Sequence, residues 1–123
     1  MVFFIPWTIG YVILGYSSVV AQDYTSPADA GKCIGQTKTV CGKVASATYA
    51  VRTKGHPTFI NLDRPYPNQI FTVLIWGSDR NKFKNPPEIL FKEKRVCVTG
   101  KIDTYRGKPE IIARDPSQVI ETH

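Results

Sequence analysis

Residues Arg95–Val119, R-V-C-V-T-G-K-I-D-T-Y-R-G-K-P-E-I-I-A-R-D-P-S-Q-V, decide the fold. Val96, Val98, Gly100 and Ile102 alternate with Cys97, Thr99, Lys101 and Asp103, the period-two pattern of a strand with one buried face. Arg106-Gly107-Lys108-Pro109 then reads as a turn, since Gly tolerates positive φ and Pro fixes its own. Ile111-Ile112-Ala113 is a second short apolar run, stopped by Asp115-Pro116. Strand, tight basic turn and strand together predict a β-hairpin. Its tip carries Tyr105, Arg106 and Lys108, a ring among cations, which suits a polyanion with bases to stack.

Working outward, Lys38–Val51 predicts another long strand, with Val40, Gly42 and Val44 alternating against Cys41, Lys43 and Ala45. Here the chain repeats itself: Val40-Cys41-Gly42-Lys43-Val44 parallels Val98-Thr99-Gly100-Lys101-Ile102. A mid-strand Gly marks a bend, as needed to coil a strand around a small barrel. Between these two strands lie a basic loop, Arg52–Pro57, a strand over Thr58–Asp63 and a Pro-rich turn, Arg64–Gln69. A third strand, Ile70–Trp76, is apolar at nearly every position, so both of its faces are covered or functional. Ser78 is expected to cap a helical turn or two through Phe83, interrupted by Asn85-Pro86-Pro87, and a turn at Lys92-Glu93-Lys94 leads into Arg95. Near the start, Ser26-Pro27-Ala28-Asp29-Ala30 reads as a short helix stopped by Gly31 or Gly35. The result is an all-β chain: a short helix, three strands, a short helical connection, then two strands. A five-stranded Greek-key OB-fold barrel fits best; an SH3-like barrel, with shorter strands and no such connection, fits less well.

The 123 residues allow one small domain. Val2–Ala21 is almost unbroken apolar sequence before the first charge, Asp23. Small residues at Val19 and Ala21 match a signal-peptidase site, so residues 1–21 are expected to be a signal peptide cleaved before Gln22, with an uncleaved membrane anchor as the alternative. No cysteine stands at that point, which argues against a lipoprotein. Residues 22–33 read as a polar linker and the short helix, and 34–120 as the domain. The location implied is periplasmic or extracellular. Sixteen Lys+Arg against ten Asp+Glu give net +6, which favours anionic partners. Three cysteines, Cys33, Cys41 and Cys97, follow the leader; in an oxidising compartment two can pair and one is left over. With no C-x-x-C and only His56 and His123, a zinc site is not expected.

V-C-G-K-V at 40–44, F-I-N-L-D-R-P-Y-P-N-Q-I-F-T-V-L-I-W at 59–76 and V-T-G-K-I-D-T-Y-R-G-K-P-E-I at 98–111 resemble a family of small bacterial OB-fold nucleic-acid-binding-type proteins, found as exported single domains and beside nuclease domains. The resemblance covers Ile34–Val119. It implies a strand order in which the first strand neighbours the fourth, which places Cys41 and Cys97 on adjacent strands. If directly opposed, with Cα atoms closer than about 7 Å, they form a disulfide and leave Cys33 unpaired; otherwise they are two packed thiols.

An OB barrel binds over its second and third strands, between the loops joining strands one to two and four to five. In this chain those loops supply Arg52, Lys54 and His56 on one side, and Tyr105, Arg106 and Lys108 on the other. Phe71, Val73 and Ile75 are expected to face inward, leaving Thr72, Leu74 and Trp76 outward beside Phe59 and Asn61. Phe59 and Trp76 are then platforms for bases while Lys and Arg follow phosphates. Tyr66, between two prolines, is read as a loop anchor. His56 is read as a loop histidine, since it has no identifiable catalytic partner. Asp63, Asp79 and Asp103 are scattered over separate segments as solvated carboxylates, and no catalytic or phosphate-loop motif is present. The chain thus reads as a non-enzymatic, cofactor-free binder of single-stranded nucleic acid. The alternatives are a periplasmic adaptor for a protein, or an oligosaccharide-binding module with Trp76 stacked on a sugar.

Overall fold

The computed structural model describes residues 24–122. The expected leader, its cleavage point and Gln22–Asp23 of the expected linker lie outside them. The strands are β1 (Tyr24–Thr25), β2 (Thr37–Tyr49), β3 (Thr58–Leu62), β4 (Thr72–Ile75), β5 (Arg95–Tyr105), β6 (Lys108–Ile112) and β7 (Val119–Thr122). They form one seven-stranded sheet in the order β1-β2-β3-β4-β6-β5-β7, with β2 also paired to β5. That extra pairing closes a ring: β2–β3, β3–β4, β6–β5 and β5–β2 are antiparallel, and β4–β6 is parallel.

Closure depends on the two long strands changing partner midway. In β2, Thr37–Lys43 pairs with β5 and Val44–Tyr49 with β3, with a register shift between Val44 and Ser46. In β5, Arg95–Lys101 pairs with β2 and Ile102–Tyr105 with β6. The repeated Gly-Lys pairs sit at these two hand-overs. A Cβ on Gly42 would lie 2.8 Å from Asp63 Oδ1 and from Pro27 Cγ, and one on Gly100 2.7 Å from Ile111 Cγ2. Both glycines therefore serve close approach where a strand leaves one neighbour for the next.

Inside the ring, Val40, Val44, Ile60, Leu62, Phe71, Val73, Ile75, Val96, Val98, Ile102 and Ile111 form one buried cluster with Phe83 and Phe91 of the connection. Phe71, Val73 and Ile75 thus face inward as the alternation predicts. Thr72 and Leu74 take the opposite face of β4 but are themselves buried.

The connection after β4 contains two single-turn helices, α1 (Gly77–Arg80) and α2 (Pro87–Leu90). Ser78 lies within α1 instead of capping it; Trp76 occupies the cap position with no side-chain cap bond. Arg80 pins both helices: one guanidinium nitrogen donates to Thr58 Oγ1 and to Glu88 Oε1, each at 2.6 Å, and the group lies 3.5 Å above the Tyr49 ring. Phe83 and Phe91 meet edge-to-face at 6.1 Å. Burial pushes the Glu88 carboxyl up, but the hydrogen bond and charge of Arg80 outweigh it and hold the pKa below the usual value.

At the N-terminal side, the Ser26 hydroxyl accepts the Asp29 N–H at 3.2 Å and opens a 3₁₀ helix, Pro27–Cys33, which passes Gly31 before stopping. Two expectations change at the chain's ends. Tyr24–Thr25, read as linker, pairs in parallel with Thr39–Val40. The hairpin is not the end of the sheet either: Asp115 caps a 3₁₀ turn, Pro116–Gln118, in a reciprocal arrangement with Gln118, and β7 then pairs with Arg95–Val98. Both additions cover strand edges that would otherwise stand open. Cys41 and Cys97 are directly opposed, with Cα atoms 4.0 Å apart, and are joined by a disulfide. Cys33 is free and half-buried. Among the described residues no helix is long and apolar enough to cross a membrane.

Candidate ligand groove

A polar row runs across all five strands of the ring. Ser46 on β2 is the register partner of Asn61 on β3, Asn61 of Thr72 on β4, Thr72 of Glu110 on β6, and Glu110 of Asp103 on β5. Paired residues share a face, so these five side chains line up on the outside of the ring. The row is hydrogen-bonded at one end: Thr72 Oγ1 donates to Asn61 Oδ1 at 2.7 Å, and Asn61 Nδ2 to Ser46 Oγ at 3.0 Å. Ser46 Oγ also accepts the Tyr66 backbone N–H at 3.2 Å, which fixes the Pro-rich loop over the row.

Above this row lies a groove of about 540 Å³. Asn61, Thr72 and Glu110 contribute to its floor, with Phe59 beside them. One wall is the hairpin tip, Tyr105, Arg106, Lys108 and Pro109; the other is Thr48, Ala50, Thr53, Tyr66 and Gln69. The tip is a two-residue turn with φ of 52° at Arg106 and 79° at Gly107, the doubly left-handed geometry that closes a hairpin and favours Gly at its second position. The Arg106 guanidinium lies 5.2 Å from the Tyr105 ring centroid, and Lys108 Nζ reaches the Pro67 carbonyl at 3.5 Å, tying the walls together at one end. Beyond Gln69, Lys108 and Pro109 the surface continues into a second hollow of about 490 Å³, which adds Arg64. The two hollows share those three residues.

Six of the nine expected binding residues meet here: Phe59, Asn61, Thr72, Tyr105, Arg106 and Lys108. Arg52, Lys54 and Trp76 do not line the groove. The reason for Trp76 is local: Gly55 has φ 84°, and a Cβ there would lie 2.8 Å from the indole, so one edge of the ring packs on the loop backbone while the residue stays 36% exposed outside the groove. The Gly77 N–H to Gly55 carbonyl bond, 2.9 Å, fixes that contact. With the loop folded onto Trp76, Arg52 and Lys54 are carried clear of the groove, and only Thr53 reaches it. His56 Nδ1 lies 2.7 Å from the Val51 carbonyl, as befits a loop histidine. Tyr66, expected to be an anchor, is 72% exposed on the groove wall. Its backbone is the anchor and its ring is free.

Glu110 is the residue that sequence reasoning missed. It is only 8% exposed, and no hydrogen bond from another described residue reaches its carboxyl. Burial, and secondarily the charge of Asp103 opposite it, push its pKa up. The signal was present in K-P-E-I-I, where Glu110 alternates with buried Ile111 on a short strand. Among the described residues no group of three or more His, Cys, Asp and Glu is placed to hold a metal ion.

No family model matches the chain, and no curated protein does. Among solved structures, OBody AM1L10 bound to hen egg-white lysozyme aligns with a TM-score of 0.52 at 19% identity, over 85% of this chain and 98% of that one. OBody AM3L09, also bound to hen egg-white lysozyme, gives 0.52 at 15%, over 84% and 97%. A Leishmania major Friedlin chain described as an aspartyl-tRNA synthetase gives 0.49 at 10% identity, and there this chain spans only 22% of the other's length. OBodies are OB-fold scaffolds, and at these identities the likeness is one of fold. The chain is a mainly β protein of OB-fold type.

Proposed function

We propose that this protein is a non-enzymatic, cofactor-free OB-fold module that binds single-stranded nucleic acid or oligonucleotides along the groove. In this reading the closed ring of β2 to β6 is the five-stranded Greek-key barrel, with β1 and β7 as added edge strands, and the chain is one of the exported bacterial OB-fold proteins it resembles in sequence. The observation that carries the proposal is the meeting of Tyr66, Phe59 and Tyr105 with Arg106 and Lys108 on one open groove. Rings stack on any base, and the cations follow the phosphates. Export is supported by the apolar leader in the sequence and by the Cys41–Cys97 disulfide, since such bonds persist in oxidising compartments.

The test is fluorescence anisotropy with labelled oligothymidine at low salt. Binding is expected, and Tyr66→Ala or Tyr105→Ala should each weaken it by about 1–3 kcal/mol. Arg106→Ala should reduce the slope of log affinity against log salt by roughly 0.7. No binding at low salt rejects the proposal. A second reading, a protein adaptor, is supported by the OBodies, which hold lysozyme on this fold. It is favoured instead if a nuclease-treated extract yields one protein retained by the wild type and lost with Tyr66→Ala.

A further inference from the structure

Most polar groups on the groove floor are already committed. Asn61 and Thr72 spend their hydrogen bonds on each other and on Ser46. Two acceptors have no hydrogen-bond partner among the described residues: the carboxyl of Glu110, a residue only 8% exposed that opens onto the groove, and the Gln69 amide oxygen, which is buried. Asp103 adds negative potential beside Glu110. A carboxylate partly withdrawn from water, with no protein group donating to it, is poorly satisfied, and a ligand that donates two hydrogen bonds to it satisfies both oxygens. The cations, by contrast, stand at the rim, on Arg106 and Lys108.

From this arrangement we infer that Glu110 makes the groove selective for guanine. The inference rests on the nucleic-acid reading of the groove. A carboxylate presents two acceptors side by side. Of the four bases only guanine offers two adjacent N–H donors on its Watson–Crick edge, at N1 and at the exocyclic N2. Adenine and cytosine each set one amino group beside a ring acceptor, and thymine flanks its single N–H with two carbonyls. Those acceptors would face the Glu110 oxygens and be repelled. With the guanine held edge-on to Glu110, its face is available to Tyr66 or Tyr105. The phosphates then run along the rim toward Arg106, Lys108 and, in the second hollow, Arg64.

The probe is an oligothymidine of about ten nucleotides carrying one central guanine, compared with the same strand carrying adenine, cytosine, thymine or inosine there. Wild-type protein is expected to bind the guanine strand roughly tenfold more tightly than the thymine strand. Inosine, which keeps N1–H but lacks the exocyclic amine, should lose most of that gain. Glu110→Gln should level the guanine and thymine strands, and a cooperative thermal melt of the variant reports that it is folded. Equal binding of all strands by wild type overturns the guanine inference and leaves the nucleic-acid reading standing. Binding of none of them removes both. A guanine preference that survives in Glu110→Gln overturns the assignment to Glu110.

Discussion

Glu110 illustrates how a single side chain is set against the fold that holds it. Its folded-state pKa lies above the ordinary carboxylate value because burial, and then Asp103, disfavour the charge. The folded protein therefore binds this proton more tightly than the unfolded chain does. Stability from this group is complete below the ordinary value of about 4.3 and is lost as pH rises through the elevated folded value. Glu110→Gln keeps the shape without the charge. Thermal melts should show the variant more stable than wild type at pH 7, with the difference closing below about pH 4. A variant less stable at pH 7 would mean the ionised carboxyl is favourably paired. Residue roles were only partly legible beforehand. The hairpin tip announced itself by its turn chemistry, and Phe59, Asn61 and Thr72 by strand alternation. Trp76, expected beside the groove, packs one ring edge on Gly55 instead, while the Tyr66 ring lines the groove; only the folded loops show either placement.

At the scale of elements, the two long strands of the ring follow from periodicity, because a strand with one face inward must alternate, whereas β4 was legible as a continuous apolar run. The repeated Gly-Lys pairs also carried their meaning in sequence, marking where β2 and β5 change partner. The edge strands were not legible. Tyr24–Thr25 is too short to show a period, and Val119–Thr122 follows a true Asp-Pro stop; each exists because an edge was free to pair. The connection between β4 and β5 has almost no helix of its own, two single turns, so its order comes from Arg80. Replacing Arg80 with Met removes its bonds to Thr58 and Glu88 and its stacking on Tyr49. The loss should be about 2 kcal/mol in urea unfolding, and amide exchange should rise in residues 77–91 before the strands open. Uniform exchange across the chain would show that the connection does not open separately.

For the molecule as a whole, the disulfide and the groove occupy opposite halves of the same two strands. Cys41 and Cys97 join β2 and β5 in their first halves, while Thr48 and Tyr105, from the second halves, stand on opposite walls of the groove. In the chain-entropy account, a crosslink between residues 56 apart in sequence stabilises by about 4 kcal/mol. The Cys41→Ala, Cys97→Ala double variant should lose about that much in denaturant unfolding; a loss under about 1 kcal/mol would mean the ring pairings already restrict the unfolded chain. The crosslink has another consequence. It turns everything from Cys41 to Cys97 into a macrocycle with two tails, and exposed Arg52 and Lys54 lie on the cycle. A trypsin cut after either one opens the cycle without dividing the molecule. The nicked protein keeps both walls of the groove on one covalent body, and falls into two pieces only when a reductant reaches the sulfurs.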